Sequence, residues 1–190
     1  MVMFDRVTDR INCDKVVIDD AQGAFLAVKK FVESGKKKIA LITTDDYLSV
    51  GKARTEGYKK ALSHYNIPLE ESLILKLPSM EVEASAFDTF FKTQEVDAVL
   101  CVNEIFAIHA MRLAHGMNKR IPEDISFIGF TDGLLSKFAM PSLTAIAQHG
   151  ELMGEEAARM LIEKVETENE EDTFNTTVLE PTLIERASTL

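Results

Sequence analysis

The sequence has no tryptophan and only two cysteines, Cys13 and Cys101, far apart and without metal-ligand spacing. That excludes a disulfide framework and a thiolate zinc site, and it suits two thiols in a reducing compartment. No apolar run approaches the roughly 20 residues that a membrane helix needs. The opening MVMFDRVTDR meets Asp5 after four residues, so no export signal is expected there. Basic residues are scarce: 21 stand against 31 acidic ones, a net charge of −10. Such a chain makes a poor general phosphate binder, so contact with nucleic acid is expected only through a local patch or a further segment. The usual enzyme signatures are missing as well. The four histidines are scattered without an H-E-x-x-H pattern, and no G-x-S-x-G, P-loop or G-x-G-x-x-G occurs. These gaps predict no catalytic residues, no metal and no cofactor.

What is present is an alternation of short β-type runs and amphipathic helical runs. Val2–Phe4, 15–19, 39–43, 73–77, 98–102, 125–130 and 143–147 read as strands. Residues 21–33, 51–65, 80–93, 105–117 and 151–165 read as helices by the spacing of their apolar positions. Asp20 is read as the cap of the first helix, and 176–183 as one closing strand. The acidic run 166–172 reads as a solvated turn. Strand–helix alternation from Lys15 to Ala147 predicts parallel strands with right-handed crossovers, hence an α/β, doubly wound sheet. Ligands in such sheets bind beyond the carboxyl ends of strands. Those ends are Asp5-Arg6, 44–47, 77–80, Asn103-Glu104 and Thr131-Asp132.

Several stretches also carry a family pattern. The clearest is Pro122, Asp124, Ile125, Ser126, Phe127, Ile128, Gly129 and Phe130, followed by Pro141, Leu143, Thr144, Ile146 and Gln148. Others are Gly35, Lys37, Ile39, Ala40 and Ile42 with Arg54, Gly57, Tyr58, Ala61 and Leu62; the run Asp97–Ala107; and the closing Leu179, Pro181, Leu183, Arg186, Ser188 and Thr189. Together they resemble the effector-binding core of lac-repressor-type (LacI/GalR) transcription regulators. The chain departs from that pattern at Thr131, where the family carries an Asp.

The resemblance implies a type I periplasmic-binding-protein-like fold. Residues 1–18 and 149–175 are then a remnant of the amino-terminal subdomain. Residues 19–148 and 176–190 form the carboxyl-terminal subdomain. A DNA-reading helix-turn-helix head is expected to be absent from this stretch. The resemblance also implies an effector site. Arg54, whose planar fork suits hydroxyls or anionic groups, is expected to reach the effector; otherwise it is a surface charge paired with a neighbour such as Glu56. Asn103 offers both donor and acceptor, but it equally suits a helix cap. Asp5 and Arg6 match positions near the effector, with a local Asp5–Arg6 pair as the alternative. Thr131 accepts fewer hydroxyls than the family carboxylate, and Asp132 is the candidate substitute. Tyr47 is a candidate ring-stacking residue or an exposed loop tyrosine. Gln148 is read as a hinge residue. Ile108, Phe138 and Met140 are the candidates for a two-fold dimer contact, the last two because a loop rarely hides large apolar groups.

The expected function is the effector-binding and dimerisation portion of a cytoplasmic regulator. Its partners are a small polar metabolite such as a sugar, a second copy of itself, and DNA only through the absent head; no membrane is involved. The alternatives are a periplasmic-type sugar-binding protein and an enzyme on a flavodoxin-like sheet.

Overall fold

The computed structural model describes residues 1–44, 49–79, 83–166 and 173–190. Two sheets share the chain. The strands are β1 (Val2–Phe4), β2 (Asp14–Ile18), β3 (Ile39–Thr44), β4 (Ile74–Leu77), β5 (Ala98–Cys101), β6 (Ser126–Phe130), β7 (Thr144–Ala147), β8 (Thr176–Leu179) and β9 (Thr182–Ile184). The helices are α1 (Asp20–Glu33), α2 (Ser49–His64), α3 (Ala84–Thr93), α4 (Glu104–Gly116), α5 (Leu134–Phe138) and α6 (Gly150–Glu166).

The larger sheet has six strands in the order β4-β3-β5-β6-β7-β9. All its pairings are parallel except β7 with β9. The chain runs outward from β3 to β4 and then returns past β3 to β5, so the strand order reverses between β3 and β5. Helices α1 and α2 pack together as one group and α3 with α4 as another, as opposite crossover directions require. The central strands are buried along their whole length, which explains why 39–43 and 98–102 read as β runs without polar alternation. Tyr58 is fully buried, and its hydroxyl donates to the Ile39 carbonyl at 2.7 Å.

The smaller sheet has three parallel strands, β1-β2-β8. Its apolar cluster is Val16 and Ile18 against Met153, Ala157 and Met160 of α6. Two sequence expectations need correcting here. Residues 176–183 are not one strand: β8 and β9 lie in different sheets, separated at Glu180-Pro181. Pro181 has no N–H to continue a ladder, so the chain crosses between sheets there. It follows that 176–179, assigned above to the larger unit, pair with β2 in the smaller one. The cap of α1 is also one residue earlier than expected. Asp19 accepts from the Gln22 N–H at 2.8 Å, which leaves Asp20 inside the first turn and free for another role. Phe138, expected in a loop, ends the short helix α5, whose five residues carry too little periodicity to register in sequence. The first residues of the expected helix 80–93, and most of the acidic run 166–172, lie outside the described residues.

The carboxyl-terminal segment stitches the larger sheet. Ser188 Oγ donates to the Phe127 carbonyl at 2.6 Å and accepts the Thr144 N–H at 2.8 Å, while the Thr189 and Thr144 hydroxyls meet at 2.9 Å. The smaller sheet is fastened by charge. Asp14 accepts from Lys164 Nζ at 2.6 Å and from the Asn175 N–H at 2.8 Å. Burial pushes this carboxyl up, but the Asn175 and Lys164 bonds outweigh it and hold it below the usual carboxylate range. The folded form therefore binds its proton more weakly than the unfolded chain. This link stabilises above the ordinary carboxylate value and is lost as pH falls through the lowered one. We expect Asp14→Asn to be less stable than wild type at neutral pH. Its urea midpoint should also fall less steeply than wild type between roughly pH 5 and pH 2. Parallel pH profiles for the two proteins would show that Asp14 has no such role.

Candidate functional site

The reversal between β3 and β5 opens a crevice at the strands' carboxyl ends, where doubly wound sheets bind ligands. A cavity of about 150 Å³ lies there, lined by Asp5, Arg6, Thr44, Val50, Gly51, Arg54, Val102, Asn103, Thr131 and Gln148. It adjoins a larger groove of about 800 Å³ that shares Asp5, Thr131 and Gln148 and continues along the start of α6. The crossing segments bring residues of both sheets to this place: Asp5 and Arg6 follow β1, Gln148 follows β7, and the rest come from the larger sheet.

Arg54 is the anchor. It is 5% exposed, near the start of α2. Its Nε donates to Asp20 Oδ1 at 2.7 Å and its Nη1 to the Val102 carbonyl at 2.5 Å. The guanidinium carbon sits 3.9 Å from the centroid of the Phe130 ring. Among the described residues no partner meets Nη2, the remaining edge of the fork. The surface pairing with Glu56 weighed from sequence is not what forms. Burial raises the Asp20 carboxyl and lowers the Arg54 guanidinium, while each partner's charge opposes that shift.

Asn103 takes the capping role that its sequence position left open, and it stands at the cavity. Its Oδ1 accepts the Phe106 N–H at 2.7 Å and caps α4, and the residue also lines the cavity. Asp5 and Arg6 pair at 3.8 Å and both line the cavity. Thr131 has φ 78°, an uncommon backbone for a β-branched residue, and its hydroxyl donates to Gln148 Oε1 at 2.6 Å. Asp132, the candidate substitute, is engaged in ion pairs. It pairs with Arg186, whose Nη1 donates to the Leu143 carbonyl at 2.8 Å, and with Lys137 at 3.8 Å. Asp132 thus faces the outer groove and does not line the inner cavity. Tyr47 lies outside the described residues.

Gln148, expected as a hinge, lines the cavity and bonds Thr131. Its neighbour His149 meets the Thr182 hydroxyl at 2.8 Å and ties two crossing segments together. Thr44, Val50, Gly51 and Val102 also line the cavity and were not singled out from sequence; their place at the switch point is what marks them. Asp20 was passed over because the step from β2 to α1 suggested only a cap. Away from the cavity, Phe138 is 82% and Met140 97% exposed, with Leu134 and Leu135 exposed beside them. Ile108 is only partly exposed and packs against the main core. Among the described residues no cluster of three or more His, Cys, Asp or Glu is placed to hold a metal, and no helix is long and apolar enough to cross a membrane.

Polar side chains at the switch point of a parallel sheet, joined by crossing segments to a second sheet, are the architecture in which α/β binding proteins hold ligands. The chain belongs to the periplasmic-binding-protein-like domain family, whose model matches residues 28–189. Its relatives are LacI-type. The ribose operon repressor of Haemophilus influenzae is 30% identical over 191 residues, 99% of this chain and 57% of that protein. The HTH-type transcriptional repressor PurR of Erwinia tasmaniensis is 32% identical over 192 residues, 99% of this chain and 55% of that protein. Among solved structures, a transcriptional regulator CelR–cellobiose complex superposes with a TM-score of 0.89 at 27% identity, over 98% of this chain and 58% of that one. A LacI family regulator from Enterococcus faecium with bound ribose gives 0.86 at 26% identity, over 99% and 69%. The chain spans about half the length of the curated relatives it matches. Those relatives are named as transcriptional regulators, not as enzymes.

Replacing Asn103 by Ala removes the α4 cap and should lower stability by about 1 kcal/mol, whereas Asn103→Asp should keep it. Urea unfolding of the two variants checks this; equal midpoints would show that the cap is not what Asn103 contributes.

Proposed function

We propose that this chain is the effector-binding portion of a cytoplasmic LacI-type transcription regulator. The effector is a small polar metabolite, with sugars the first class to test, and it binds in the cavity at the switch point. It is returned intact, so the chain acts as a sensor and not as an enzyme. Binding shifts the relative setting of the two sheets, and DNA is reached only through a helix-turn-helix segment of the kind the relatives' names record. On this reading the smaller unit consists of 1–18, 149–175 and β8, and the larger of 19–148 with the rest of the carboxyl-terminal segment. The exposed Phe138 and Met140, with Leu134 and Leu135, are the candidate contact in a homodimer, with Ile108 contributing only at its edge.

The observation that carries this is the convergence of Arg54, Asn103, Thr131, Gln148, Asp5 and Arg6 on one cavity. These residues come from five separate stretches of sequence and meet at the one crevice the sheet topology creates. Ligands bound to the similar structures, ribose and cellobiose, are of the class proposed.

Arg54→Ala is a poor test, because it leaves Asp20 buried and unpaired, a change that destabilises by about 3–5 kcal/mol in its own right. Gln148→Ala and Thr131→Asp are cleaner. Expressed from its natural open reading frame, the protein should melt roughly 5–10 °C higher with a cognate sugar at a hundredfold excess over Kd. Gln148→Ala should reduce that rise, and Thr131→Asp should enlarge it for neutral sugars by adding an acceptor. A panel of pentoses, hexoses and disaccharides that gives no shift, or a ligand that is chemically consumed, would overturn the proposal.

A further inference from the structure

The position of Arg54 is set by where two helices touch. At Gly57 an added Cβ would lie 2.1 Å from the Ala21 carbonyl oxygen, so α2 presses its backbone onto α1 at that point. At Gly23 an added Cβ would lie 2.9 Å from Ile146 and 3.0 Å from Phe130, so α1 presses onto the sheet. Arg54 stands three residues before Gly57 and Asp20 three before Gly23. Positions three apart share a helix face. Each charged side chain therefore sits one turn from a backbone contact that only glycine permits. Phe130 serves both, touching Gly23 and stacking on the Arg54 guanidinium. Asp20 is 7% exposed and does not line the cavity; it accepts the Nε–H, on the same edge of the guanidinium as Nη2, without occupying Nη2 itself.

From this arrangement we infer that Asp20 is a positioning residue for ligand recognition. It acts through Arg54, and the Gly23 and Gly57 contacts bring the two charges within reach. The inference rests on the cavity being the effector site, as proposed above. With Nε, Nη1 and the ring face all occupied, the guanidinium has one orientation, and Nη2 is the edge left for a ligand hydroxyl or carboxylate. Asp20 touches no ligand, yet it determines whether that donor is aimed before the ligand arrives.

The test has two readouts on protein expressed from the natural reading frame. The first needs no ligand. In nitrogen-15 spectra the Arg54 Nε–H of wild type should exchange slowly, unlike that of the exposed Arg112. In Asp20→Asn it should exchange as fast as Arg112 while the backbone amide spectrum is retained. Fast exchange in wild type overturns the inference without any variant, which covers the case of an Asp20→Asn protein that does not fold. So does slow exchange in Asp20→Asn, because Val102 and Phe130 would then suffice. The second readout is calorimetric titration with D-ribose and with cellobiose. Asp20→Asn should weaken binding on the order of tenfold, the difference between a charged and a neutral hydrogen bond. In an Arg54→Lys background it should add little, as expected if Asp20 acts only through the guanidinium. Equal weakening in both backgrounds would mean a general structural effect and sink the positioning role. If neither sugar binds wild type, the sugar reading of the cavity fails, and the exchange data alone decide whether Asp20 holds Arg54.

Discussion

A buried ion pair at the meeting of two helices and a sheet governs this molecule. Taking the Arg54 and Asp20 charges out of water is expensive, and their attraction repays that only with good geometry and further hydrogen bonds. The structure meets both conditions: a 2.7 Å contact to Asp20, a carbonyl from the end of β5, and an aromatic face from the end of β6. One side chain is thereby tied to α1, β5 and β6 at once, at the point where the strand order reverses. The reversal opens the cavity, and this immobilised cation forms part of its wall.

The second sheet is fastened to the first by lighter means. Crossings follow β2, β7 and β8, and small polar bonds hold them. The Asp19 N–H donates to the Leu179 carbonyl, and His149 meets Thr182. The smaller apolar cluster has only five buried side chains, against the extended core of the larger sheet. The wall carrying Arg54 and Asn103 belongs to the larger unit. Thr131 and Gln148 stand at the boundary, bonded to each other, one at the end of the larger sheet and one on a crossing segment.

Much of the architecture was legible in the residues. Alternating apolar runs and amphipathic helices gave the doubly wound sheet, because a parallel strand buried on both faces must be apolar throughout. The strand ends named the neighbourhood of Asp5, Asn103 and Thr131, because short polar segments after such strands have few other places to go; Arg54, inside a helix, was marked only by the family pattern. The closing motif around Arg186 and Ser188 was recognisable as a pattern, but its work of stitching β6 and β7 was not. Local signals failed where a residue's partner is distant in the chain. Asp20 looked like a cap, and Gln148 gave no sign of its bond to Thr131. The break at Pro181 vanished inside a strand-like run whose two halves enter different sheets.

The amino-acid sequence by itself determined the element types, the acidic and enzyme-signature-free character of the chain, and the loops from which a site is built. These follow from periodicity, charge and short-range chemistry. Only the tertiary structure decided which acid pairs with Arg54, that Asp132 is committed to Arg186, and that Gln148 faces the cavity. Those pairings join residues 34, 54 and 17 positions apart. They depend on backbone contacts such as Gly57 against Ala21, which have no local signature because they exist only when two helices are pressed together.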